Sequence, residues 1–147
     1  MKRVRVIPIL LIDEGKLVKT IKFKDPSYVG DPINAVKIFN EKEVDEISVI
    51  DISATKMSRE PNYQLISDIA GEAFMPLSYG GGIKSVNMAT KVFKCGVEKV
   101  IINDQLIKNL NLIDDIKSKY GSQSVVASVD IIKNWYGKYK IFNYSKN

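Results

Sequence analysis

The chain contains no histidine, a single cysteine and no apolar run long enough to cross a bilayer. Without imidazole it cannot by itself build a Ser-His-Asp triad, a Cys-His nucleophile, a Cys/His zinc site or a histidine base. Proton transfer is left to carboxylates, lysines and tyrosines. One cysteine, Cys95, cannot form an internal disulfide, so a reducing, cytoplasmic setting is expected. Lys2, Arg3 and Arg5 precede the apolar run Val6 to Ile12 in the charge order of a signal peptide. Pro8 interrupts that run and Asp13-Glu14-Gly15-Lys16 follows with no small-residue cleavage site, so no targeting segment is expected.

What remains is the composition of an ordinary globular domain: 147 residues, 45% hydrophobic and 27% charged. The formal net charge of +5 comes from lysines spread along the whole chain. That pattern predicts a solvated basic surface open to a phosphorylated small substrate. It predicts neither a nucleic-acid patch nor a membrane surface.

Short Val- and Ile-rich runs at Val4 to Ile12, Glu46 to Ser53, Pro76 to Gly80, Lys99 to Asn103 and Ser124 to Ile132 read as strands. Between them the apolar residues take helical spacing: Leu65, Ile66, Ile69, Ala70 and Ala73; Val86, Ala89 and Phe93; Leu112, Ile113, Ile116 and Tyr120. Asp31-Pro32 and Ser85 mark helix starts, and Gly96 and Gly121 mark ends. Strand and helix alternate four times before a fifth strand, which predicts one α/β domain of parallel strands over residues 1–147. Leu17 to Phe23 and Lys138 to Tyr144 read as hairpin extensions after the first and fifth strands. In such folds the loops at the carboxyl ends of the strands carry function.

Gly80-Gly81-Gly82 ends the third strand just before the helix that Ser85 starts. A flexible turn followed by free helix N–H groups suits a phosphate, or serves simply as a tight turn. Asp51 and Asp130 end the second and fifth strands. A carboxylate inside an apolar strand is either an acid-base group with a raised pKa or a holder of loop N–H groups, and the sequence leaves both open. Asn103 ends the fourth strand and Lys19 lies on the first hairpin. At the opposite ends stand Arg5, Glu46 and Lys99, read as solvated charges or as a ring of ion pairs.

Arg5 through Ile12, Gly15 and Val18-Lys19, Gly30-Asp31-Pro32, Asp45-Glu46, Asp51-Ile52, Gly80-Gly81-Gly82-Ile83, Lys99-Val100, Ile102-Asn103 and Gly121-Ser122-Gln123 through Asp130 together resemble the cyclase subunit of imidazole glycerol phosphate synthase. The resemblance implies a TIM (βα)₈ barrel, here its amino-terminal part. It implies a lyase that takes ammonia from a glutaminase partner and cleaves and cyclises a phosphoribosyl-formimino intermediate of histidine biosynthesis, with no cofactor or metal. Carried over by position, Asp130 is a catalytic acid/base. Gly81, Gly82 and Asn103 hold a substrate phosphate, and Lys19 is the lysine of the first loop. Arg5, Glu46 and Lys99 belong to the charged ring that admits ammonia.

Two departures stand out. Leu11 occupies the place of the first catalytic aspartate, and Asp13, on the same strand face, is a possible substitute. The Ile-Pro-x-Leu-Leu start and Ser78-Tyr79 also resemble paralogues associated with surface-polysaccharide synthesis, which implies the alternative of conducting ammonia to a sugar amidotransferase without cyclase activity. A full barrel needs about 250 residues and eight strands. The expectation is therefore a fragment of such a barrel, with the second phosphate site and the fourth ring member beyond Asn147.

Overall fold

The computed structural model describes residues 4–142. Lys2, Arg3 and the end of the expected strand at Tyr144 lie outside them. Five parallel strands form the frame: β1 (Ile9–Asp13), β4 (Ile47–Asp51), β5 (Leu77–Gly80), β6 (Lys99–Ile102) and β7 (Val125–Ala127). Between β1 and β4 come β2 (Lys16–Ile21), β3 (Lys24–Gly30) and helix α1 (Pro32–Glu41). Helices α2 (Tyr63–Glu72) and α3 (Val86–Lys94) follow β4 and β5, while α4 (Gln105–Lys108) and α5 (Leu110–Tyr120) follow β6. The short strands β8 (Ile131–Lys133) and β9 (Tyr139–Ile141) form a separate antiparallel pair.

The main sheet runs β3-β2-β1-β4-β5-β6-β7. Each parallel strand lies beside its predecessor, with no reversal of order. That is the winding of a barrel and not of a doubly wound open sheet, where the order reverses at a switch point.

The sequence explains the helix starts. Asp31 accepts the Asn34 N–H at 2.9 Å with Pro32 opening α1, Asn62 accepts from Leu65 at 3.1 Å, and Ser85 accepts from Met88 at 3.2 Å. Gly121, at φ +90°, closes α5. The predicted helical faces pack as read: Ile66, Ile69, Ala89, Leu112 and Ile116 are buried against Leu10, Ile12, Val49, Leu77, Val100 and Ile102 of the sheet. Alternation sends Ile9, Leu11, Ser48, Ile50, Ser78, Lys99 and Ile101 to the other face, where Ile9 is 60% exposed.

Four expectations change. The first strand begins at Ile9 and not at Val4, although Val6 and Pro8 carbonyls already accept the N–H groups of Asp45 and Ser48. Lys24–Gly30, not read as a strand, pairs antiparallel with β2. Ser124 to Ile132 is not one strand: β7 stops at Ala127, Asp130 lies three residues beyond it, and Ile131–Lys133 turns away to pair with Tyr139–Ile141. Gln105–Lys108, not read as a helix, forms α4 ahead of α5, which carries the expected stripe from Leu112 to Tyr120.

Candidate functional site

The inner sheet face carries polar groups at both ends of the strands. At the carboxyl ends, the Asn103 amide donates to the Asp130 carboxylate at 3.1 Å. Both side chains are half-buried. β6 and β7 run side by side, with Ile102 opposite Ala127, and the Ser128 N–H donates to the Ile102 carbonyl, so the chain is still held to its neighbour as it approaches Asp130. The hairpin β8–β9 is anchored at the same point, because the Phe142 N–H donates to the Asp130 carbonyl.

The glycine turn lies beside Asp51. A Cβ on Gly81 would stand 2.5 Å from the Asp51 carbonyl oxygen, and one on Gly82 would stand 2.7 Å from that of Arg59. Both glycines have positive φ, +124° and +71°. Residues other than glycine are therefore excluded by space as well as by backbone conformation. The Gly82 N–H donates to Thr55 Oγ1 at 3.2 Å.

Asp51 takes the structural of its two readings. Its Oδ1 accepts the N–H groups of Ser53 and Ala54 at 3.0 and 2.8 Å and the Ser53 hydroxyl at 3.0 Å, with the Arg59 guanidinium 3.8 Å away. It is buried and holds the loop that backs the glycine turn. Arg59, which also donates to the Ser53 hydroxyl at 2.7 Å, was not singled out from the sequence. A lone arginine in a polar loop gives no signal of the fold that brings it to Asp51.

Leu11 and Asp13 share the inner face of β1, both half-buried, and Asp13 pairs with Lys16 across the turn into β2. Lys19 is exposed on β2 opposite Ser27. Among the described residues no hydrogen bond or ion pair joins it to Asp130, Asn103 or the glycines. The same residues contain no group of three or more His, Cys, Asp or Glu side chains able to hold a metal ion.

At the amino ends, Glu46 is buried and receives Lys99 Nζ at 2.6 and 2.7 Å, with Arg5 Nη1 at 3.5 Å. Arg5 reaches it from the segment before β1. Of the two readings for these charges, the structure shows joined ion pairs, with Glu46 at their centre. Between the two polar ends the Ser48 and Ser78 hydroxyls bond to each other at 2.7 Å, a buried pair that sequence reasoning did not assign. Two serines inside apolar strands were its only trace.

A singly wound run of parallel strands with polar groups at both ends of its inner face defines a (βα)-barrel protein. A family model described as histidine biosynthesis protein matches residues 5–146, and the chain belongs to that family, whose fold is a TIM barrel. Among its relatives is a Pseudomonas aeruginosa protein provisionally named imidazole glycerol phosphate synthase subunit hisF2, 56% identical over 143 residues, covering 97% of this chain and 57% of that one. A Leptospira borgpetersenii protein provisionally named as the HisF subunit of the same synthase is 53% identical over 90% of this chain and 52% of its own length. The Streptococcus mutans imidazole glycerol phosphate synthase subunit HisF is 38% identical over 90% of this chain and 53% of its own. The chain spans about half the length of the curated relatives it matches.

Proposed function

We propose that the chain supplies the amino-terminal part of a cyclase subunit of imidazole glycerol phosphate synthase, a lyase acting in the cytoplasm on a phosphoribosyl-formimino intermediate with ammonia from a glutaminase subunit. One observation carries the reading: the inner face joins a charged cluster, Arg5–Glu46–Lys99, at one end of the strands to a carboxylate–amide pair, Asn103–Asp130, at the other. Ammonia enters past Glu46 and reacts beside Asp130. That carboxylate accepts a proton from the attacking nitrogen and returns one to the leaving group. The Asn103 amide orients it for both transfers. Gly81 and Gly82 let a phosphate approach the backbone, and the Gly82 N–H exchanges its bond to Thr55 for one to a phosphate oxygen. Lys19 closes over the substrate from the first hairpin.

In the purified protein supplied with ammonium, Asp130→Asn is expected to lower conversion of the intermediate by about 10²–10⁴-fold, the usual worth of a positioned acid-base group. An unchanged rate removes Asp130 from the mechanism.

Leu11 favours a second reading. On the inner face of β1 it offers no proton, and the nearest carboxylate on that face, Asp13, sits at the turn into β2. On this reading the barrel binds a glutaminase and conducts ammonia to a sugar amidotransferase in surface-polysaccharide synthesis, without cyclase turnover. Rescue of a histidine-requiring strain by the gene decides for the first reading; glutaminase binding without rescue decides for the second.

A further inference from the structure

A small cavity of about 10 Å³ lies between the sheet and α2, lined by the apolar side chains of Ile12, Val49 and Leu77 and by three polar ones, Asp51, Asn62 and Tyr79. Its lining comes from described residues, of which Asn62 is exposed. Tyr79 is 3% exposed, and its hydroxyl is a buried polar atom with no hydrogen-bond partner among those residues. A buried phenol without a partner is costly, and native interiors resolve such cases with protein groups or ordered water. Burial first, and then the Asp51 carboxylate, push the Tyr79 ionisation well above its ordinary value, so the group stays a neutral O–H donor. Among the described residues no acceptor bonds to it, yet Asp51 and Asn62 line the same cavity, which has room for about one water molecule.

We propose that this cavity is the binding site of a single ordered water, which accepts from the Tyr79 hydroxyl and donates to the Asp51 carboxylate, with the Asn62 side chain as third partner. The water joins the end of β4, the start of α2 and strand β5 two residues before Gly81. It adds a partner to the carboxylate that already accepts the Ser53 and Ala54 N–H groups. Through Asp51, whose backbone lies against Gly81, the water would help to hold the wall behind the glycine turn. This inference is independent of the reaction proposed above.

The test is a crystal structure of the purified protein at a resolution that shows ordered waters. One peak is expected within about 2.7–3.2 Å of Tyr79 Oη and of an Asp51 oxygen. A dry cavity, or a Tyr79 hydroxyl bonded directly to Asp51, overturns the site. Water-to-methyl Overhauser effects at Ile12, Val49 and Leu77 give the same answer in solution without a variant. In Tyr79→Phe, amide-exchange protection of Ser53 and Ala54 is expected to fall about fivefold, the equivalent of one net hydrogen bond. Unchanged protection overturns the bracing role.

Discussion

Gly81 and Glu46 show two ways in which one residue is fixed by its surroundings. At Gly81 the constraint is steric: the Asp51 backbone fills the space of a side chain, and φ is +124°. Gly81→Ala is expected to cost about 2–4 kcal/mol, strain and clash together, seen as a lowered urea midpoint. At Glu46 the constraint is electrostatic. Among the described residues, removing Lys99 leaves the buried carboxylate with only the longer contact to Arg5, so Lys99→Ala is expected to destabilise by about 3 kcal/mol, measured the same way. Tyr63 adds a pH dependence. Burial, and then the hydrogen bond to Glu60, push its ionisation from 10.0 to about 12. The folded state thus favours the protonated phenol; the stability this contributes is complete below pH 10.0 and is lost as pH rises towards about 12. Urea midpoints should hold up to pH 10.0 and then fall, and less steeply in Tyr63→Phe.

The elements differ in how plainly the sequence announces them. The parallel strands carry Val and Ile runs and the helices carry caps and apolar stripes, so their order was legible. β3 was not, because Lys24–Gly30 contains Asp25-Pro26, is exposed along nearly its whole length and has no alternation to read. The turn before it was hidden too. Lys22 and Phe23 both adopt positive φ in a two-residue hairpin, at +50° and +63°, where Gly or Asn is the usual signal. The end of β7 was misread for the opposite reason: Val129, Ile131 and Ile132 continue the apolar run past Ala127, but they serve the bend at Asp130 and a different pair of strands. In the candidate site, the glycine turn and the aspartates were visible as residue types, whereas their partners Arg59, Thr55 and Ser53 are defined only by the fold. Within α2, Gly71 has open space where a Cβ would stand and no unusual backbone. Gly71→Ala is therefore expected to raise stability by about 0.5–1 kcal/mol in the same denaturation assay, the reverse of the effect at Gly81.

For the whole molecule the two ends of the strands have separate work under the proposed function, and they should be separable by mutation. Phe74 precedes β5 at the amino end, 87% exposed, beside the entry to β4 where the Ile47 N–H meets the Pro76 carbonyl. Phe74→Asp is expected to weaken binding of the glutaminase about tenfold or more by calorimetry, as loss of an aromatic anchor does, and to leave ammonium-dependent turnover unchanged. The hairpin β2–β3 sets a further limit on how the sheet closes. It occupies the free edge of β1 from Leu11 onward, through the pairs Leu11–Val18, Ile12–Leu17 and Asp13–Lys16, while β4 holds the other edge. A strand that closes a barrel against β1 has only the stretch before Leu11 on which to pair. Under the proposed function the hairpin is thus a stop that limits how far a closing strand can slide along β1, and so restricts the stagger of the seam beside the face that carries Asp130.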